Sequence, residues 1–167
     1  MADDLIYEER VSSKATEALF LALAALFVLL LIWRFSAVRL DALAVVFVCL
    51  SVSFLFYAVN YQTLVIRLTT ERLTLRFGLF TWRVPLDNVD ACRLDDVPTL
   101  MRLGGAGIHF MSVRGRYRAS FNFLEHPRVV VAFKRGVGPV RDLSFSTRQP
   151  EEVLRRLWEA RSSHRRG

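Results

Sequence analysis

At 167 residues, with 53% hydrophobic residues, 23% charged residues and a formal net charge of +7, the chain has room for one ordinary domain plus a small addition and is more apolar than most soluble domains. Two cysteines, Cys49 and Cys92, fall in unlike segments, and the three histidines, His109, His126 and His164, show no ligand spacing; this excludes a disulfide framework and a histidine-based metal centre. Residues 1–59 hold four Lys/Arg and six Asp/Glu, whereas residues 60–167 hold 19 and ten, so a faintly acidic, apolar front is joined to a basic back that calls for an anionic partner.

Residues 1–17 read as an N-terminal tail. Its start, MADDLIYEER, is acidic where a cleaved signal peptide is basic. Residues 18–33, ALFLALAALFVLLLIW, carry no charge and cover about 24 Å as a helix. That is short of a hydrocarbon core of roughly 30 Å, and Thr16 and a snorkelling Arg34 extend it. Residues 42–61, ALAVVFVCLSVSFLFYAVNY, are long enough to span. Transmembrane helices are therefore expected at about 16–34 and 42–61, with RFSAVRLD at 34–41 closing an antiparallel hairpin. Buried helices of a soluble protein are the competing reading. Trp33, Tyr57 and Tyr61 at the ends of the runs favour a membrane, as an aromatic belt does. The flanks carry Arg10, Lys14, Arg67, Arg72 and Arg76, and the loop only Arg34 and Arg39. The positive-inside rule then expects a multi-pass protein of the plasma membrane with both termini and the C-terminal domain cytoplasmic.

From residue 63 the hydrophobic period changes to two. Leu64, Ile66 and Leu68 share one face, as do Leu73, Leu75 and Phe77, and then Phe80, Trp82 and Val84; such alternation predicts half-buried antiparallel strands. Gly78-Leu79 suits a two-residue hairpin with Gly first. Residues 89–95 read as a strand whose irregular alternation suits a bulge. Residues 103–107 read as a loop. Strands at 107–113 and 117–123 flank a tip at Arg114-Gly115-Arg116, and strands at 128–134 and 140–145 flank a second tip at 135–139. About eight strands with close turns predict a small barrel or sandwich. Pro150, Glu151 and Glu152 open a helix whose stripe of Val153, Leu154, Leu157 and Trp158 is expected to be buried. The β domain is placed at 62–162, with a basic tail at 163–167.

Two apolar spans followed by Thr70-Glu71-Arg72-Leu73, then Gly78, then Val84-Pro85-Leu86-Asp87-Asn88-Val89 resemble the bacterial and archaeal pleckstrin-homology-like domain family of membrane proteins. The resemblance covers roughly residues 63–160. It implies an α+β fold: a two-helix transmembrane hairpin followed by a PH-like antiparallel β-barrel or sandwich of about seven strands with a C-terminal helix. Relatives of this fold bind phosphoinositides or act as protein-binding platforms, and lipid binders use a long basic loop between their first two strands. Here Thr70-Glu71 leaves a tight turn carrying an acid.

Arg114, Arg116 and Arg118 form the densest basic cluster of the fold, and Lys134, Arg135 and Arg141 flank the next hairpin. These six are the candidate anionic-lipid contacts; the plainer reading is solvated hairpin tips. Gly104-Gly105-Ala106-Gly107 lacks the Lys-Ser/Thr ending of a phosphate loop. Asp95 and Asp96 are adjacent on a strand and point to opposite faces, so they make no acid–base pair. His109 is expected to be satisfied or on the surface. No Ser or Cys has a visible base partner, so no catalytic, cofactor-binding or metal-binding residue is expected. The expected partners are the lipid bilayer, a protein partner or further copies of the chain, and anionic lipid, with no nucleic acid. The leading expectation is a non-enzymatic, membrane-anchored scaffold or protein-interaction module. A headgroup sensor is the alternative, and an accessory subunit of a membrane enzyme or transporter is less favoured.

Overall fold

The protein is described by a computed structural model covering residues 4–37, 41–96 and 107–164. The first element departs from the expected tail: Leu5–Ser12 is a strand, β1. It runs directly into α1 (Lys14–Ala37), which is followed by α2 (Ala42–Asn60) and by β2 (Thr63–Thr69). β1 and β2 pair antiparallel, with Ser12 opposite Thr63, Val11 opposite Leu64 and Glu9 opposite Ile66. The helix hairpin is thus the connection between two neighbouring strands.

Local chemistry starts both helices. The Ser13 hydroxyl accepts the Thr16 N–H at 3.0 Å, and the Asp41 carboxylate accepts the Ala44 N–H at 3.0 Å; each satisfies an orphan donor of a first helical turn. The Arg34 guanidinium donates to Asp41 across the turn. Phe20 and Phe27 of α1 meet Phe47, Phe54 and Tyr57 of α2, spacings of three and seven residues that mark one face of each helix. Phe27 stacks on Phe54 with ring centroids 5.6 Å apart, and Phe20 lies 5.5 Å from Tyr57. Buried Ala24, Ala44, Ser51 and Ala58 let the backbones approach. The rest of the surface of both helices is apolar and open. Leu29, Ile32, Trp33, Val52 and Val59 are each at least 60% exposed. Only 17% of the most apolar window of each helix is buried, which is not the environment of a core helix. By length and composition both could cross a membrane.

β3 (Arg72–Phe77) and β4 (Phe80–Pro85) complete a first sheet in the order β1-β2-β3-β4. A single 3-10 turn, Leu86–Asn88, leads to β5 (Val89–Leu94). β6 (Gly107–Val113), β7 (Arg116–Asn122), β8 (Arg128–Val137) and β9 (Val140–Ser146) form with it a second sheet in the order β5-β8-β9-β7-β6. The last helix is α3 (Pro150–His164). Leu64, Ile66, Leu75 and Phe77 of the first sheet pack against Phe121, Val131, Leu143 and Phe145 of the second, and Val153, Leu157 and Ala160 of α3 close the core.

Eight of the predicted strands and the last helix are found within three residues of their expected bounds, and the bulge falls between Val89 and Ala91. Four features differ. The described residues form nine strands in two open sheets and no closed barrel. β7 and β9 pair parallel, Arg118 opposite Asp142, because β8 crosses between them in sequence while lying outside them in space. Trp158 is 70% exposed, so the apolar stripe of α3 is buried only along Val153 and Leu157. That helix also reaches His164, into the expected basic tail. Of the loop expected at 103–107, residues 103–106 lie outside the described residues and Gly107 opens β6.

Gly78 opens the β3–β4 turn with φ +57, and a Cβ there would stand 2.2 Å from the Asn60 carbonyl oxygen at the end of α2. Gly78→Ala is expected to lower the unfolding midpoint of the detergent-solubilised chain by the equivalent of about 2 kcal/mol. Gly115, at φ +77 with nothing within 4 Å, carries only the conformational part, so Gly115→Ala is expected to cost about 1 kcal/mol.

Candidate functional site: an arginine cleft at the foot of the helices

The outer face of the first sheet is built by the residues that alternate with its core positions. The pairing register lays Arg10, Val65, Arg76 and Thr81 in one row across four strands, and Glu8, Arg67, Thr74 and Arg83 in the next. A cleft of about 710 Å³ runs over these rows. Its far wall is Val59 and Asn60 at the end of α2, and Gly78 and Leu79 of the adjacent turn close the same end. Arg10, Arg67, Arg76 and Arg83 therefore converge beside the point where α2 meets the β domain.

One carboxylate answers them. Glu8 accepts from Arg67 Nε at 2.9 Å and from Arg10 Nε at 3.4 Å, and the hydrogen bond from Arg67 holds its carboxyl below the usual range. Arg76 and Arg83 make no ion pair among the described residues. Thr63, Thr74, Thr81 and Gln62 add hydroxyl and amide groups to the walls. Guanidinium forks with such neighbours match the oxygens of phosphate or carboxylate. Among the described residues no three His, Cys, Asp or Glu side chains come together as metal ligands.

The six residues singled out from the sequence lie elsewhere. Gly107 at the start of β6 faces the rings of Phe20 and Tyr57, and the Leu124 N–H beyond β7 donates to Thr16 of α1. The β6–β7 tip is therefore about 20 Å from the helices along its strands. His126, just before β8, contacts the Ser12 carbonyl, so the β8–β9 tip is remote as well. Arg114 pairs with Asp96 at 2.8 Å, Lys134 donates to the Asp87 carbonyl, the Arg135 N–H donates to Asn88 at 2.9 Å, and Arg141 is exposed.

Arg118 is the clearest correction: it is 1% exposed and cannot reach a headgroup. Its guanidinium donates to Asp95 at 2.9 Å and stands 3.8 Å from Asp142. Arg116 donates to the other oxygen of Asp142 at 2.8 Å. Alternation on β7 sends Ala119 and Phe121 to the core and Arg118, Ser120 and Asn122 to the opposite face, where Asp142 and Ser144 of β9 join them. This buried polar face also holds His109, paired across from Ser120. Among the described residues no side-chain group bonds either ring nitrogen of His109, and the ring is half-buried rather than on the surface. Burial first, and the charge of Arg128 second, push its pKa below the ordinary value of 6.5. Asp95 is buried while Asp96 is exposed, as their opposite faces require.

A second groove, of about 250 Å³, lies between β5 and α3 and is lined by Cys92, Leu154, Leu157, Trp158 and Arg161. Burial pushes the Cys92 thiol up to about 11, so it is an inert thiol at neutral pH. Cys49 is exposed on the apolar surface of α2.

No protein-family model, curated protein or solved structure matches this chain.

Removing Arg118 takes the shared cation from two buried carboxylates, Asp95 and Asp142. Arg118→Ala is expected to destabilise the chain by about 3–5 kcal/mol and Arg114→Ala by less than about 1 kcal/mol, read from chemical-denaturation midpoints. For His109 the folded pKa is depressed, so the unfolded chain binds the proton more readily. Stability is then complete above pH 6.5 and declines as pH falls through that value. His109→Gln is expected to flatten the acid side of a stability-versus-pH curve.

Proposed function

We propose that this chain is a non-enzymatic membrane module: α1 and α2 span the bilayer, and the β domain holds anionic lipid headgroups in the cleft of Arg10, Arg67, Arg76 and Arg83. One observation carries the reading. Arg76 and Arg83, which make no ion pair among the described residues, stand on a face that ends at the C-terminus of an apolar, largely uncovered helix. Apolar side chains are worth roughly 25 cal/mol per Å² of area removed from water, and a bilayer is the medium that covers two helices on all their free sides. Spanning by α2, with 19 residues or about 28 Å, puts its end, and so the cleft, at headgroup depth. The excess of Arg and Lys at that end gives the cytoplasmic orientation.

This reading moves the lipid contact from the distal hairpins to the first sheet and places the headgroup sensor ahead of the protein scaffold. The scaffold retains one favourable observation: Trp158, exposed beside the Cys92 groove, is an aromatic anchor of the kind that protein interfaces use. The resemblance to pleckstrin-homology-like domains supports an interaction module in either case.

The test is titration of the purified full-length chain in neutral detergent with a short-chain anionic phospholipid, against the zwitterionic analogue. At about 1 kcal/mol per charge, Arg76→Ala with Arg83→Ala should weaken anionic-lipid binding about thirtyfold. Arg114→Ala with Arg135→Ala should leave it unchanged. Equal binding of the two lipids, or an unaffected Arg76/Arg83 double variant, removes the reading.

A further inference from the structure

We propose that the β3–β4 turn, through Leu79 and Phe80, inserts into the interfacial layer of the bilayer that holds α1 and α2, as a third membrane contact that does not span. The inference rests on the membrane reading above and adds a surface to it.

Two-residue hairpin turns are ordinarily built from Gly, Asn and Asp, which suit the backbone and water alike. Here Gly78 meets the backbone requirement, and the second position is Leu79, 74% exposed, followed by Phe80, 54% exposed. Neither side chain is buried in the core, and Phe80 meets it only at Tyr61.

The depth of this tip is set by contact with α2. The backbone of Gly78 abuts Asn60, the last residue of that helix. The Tyr61 ring lies 5.0 Å from Phe77 and 6.3 Å from Phe80, and Phe56 of α2 touches the same Tyr61 at 6.3 Å. The apolar surface of α2 therefore continues through Phe56 and Tyr61 to Phe80, while Val59 and Leu79 border the same cleft. Where α2 leaves the hydrocarbon, the turn is beside it.

The charges agree with that seat. Arg76 precedes the turn and Arg83 follows it, on the outer face of the same hairpin. An apolar tip flanked by arginines suits the boundary of a membrane, with rings and aliphatic groups below the headgroups and guanidinium groups among them. A bilayer answers the apolar and the basic part at once.

The experiment places a spin label at Leu79→Cys, Val59→Cys or Val137→Cys in a full-length chain carrying Cys49→Ser and Cys92→Ser, reconstituted in lipid nanodiscs. Collision with oxygen reports apolar depth, and collision with a water-soluble nickel chelate reports exposure to water. The expected result is that positions 59 and 79 are both oxygen-accessible and nickel-protected, while position 137, at the remote β8–β9 tip, is open to nickel. A label at 79 as open to nickel as that at 137, with 59 still protected, overturns the insertion and leaves the membrane reading standing. Nickel access at 59 overturns both.

Discussion

The pairing of β1 with β2 is the constraint from which the rest of the arrangement follows. A chain that leaves one strand into a long helix and returns from a second helix into the neighbouring strand must start and end its excursion about 5 Å apart. An antiparallel helix pair meets that condition if its seam is narrow, and the small residues Ala24, Ser51 and Ala58 make it narrow. Only one residue, Ser13, separates β1 from α1, and its hydroxyl is used as the helix cap. At the other exit Tyr61 caps α2 and packs on Phe77 in the core. Helices and sheet are joined at two places with almost no slack, so the height of the cleft relative to the helix ends follows from covalent geometry and packing.

Arginine serves three purposes in this chain, and its neighbours decide which. In the interior, Arg118 is held by Asp95 and Asp142 on a face of the second sheet that also carries Ser120, Asn122 and Ser144; such an ion group sets register and specificity more than net stability. On the remote hairpins, Arg114 and Arg116 face aspartates. In the cleft, Arg10 and Arg67 share Glu8, while Arg76 and Arg83 make no ion pair among the described residues. Of these three groups, the third has the most charge to offer a ligand.

The strands from Thr63 onward are legible because each alternates an apolar core position with a polar outer one. β1 is not, because its inward positions are Tyr7, Glu9 and Val11, and an inward Glu9 imitates a solvated tail. Glu9 faces inward because the Tyr7 hydroxyl, Thr147 and the Arg148 N–H converge on it, partners more than 130 positions away for two of the three. Burial together with the Glu9 carboxylate holds the Tyr7 hydroxyl well above its ordinary pKa. The cleft was hidden for a related reason. Arg67, Arg76 and Arg83 are each plainly outward from alternation, but their convergence depends on the register between strands, and Arg10 joins only once β1 is in the sheet. Clusters close in sequence, such as Arg114, Arg116 and Arg118, are the more visible, but period two sends Arg118 into a buried layer whose partners a single strand does not reveal.

The same topology alters what the resemblance to pleckstrin-homology-like domains implies. Headgroup binders of that fold use a long basic loop between their first two strands. Counting β1, the connection between the first two strands of this chain is the helix hairpin itself, and the tight Thr70-Glu71 turn falls between the second and third. On the proposed membrane reading, that connection enters the bilayer and cannot also wrap a headgroup at its surface. The arginines that such a loop would carry are instead distributed over the outer face of the sheet at the hairpin's base, where the strands fix their spacing. On the same proposal, a binding surface made of paired strands trades the adaptability of a loop for a constant depth, set by the helices the domain is folded around.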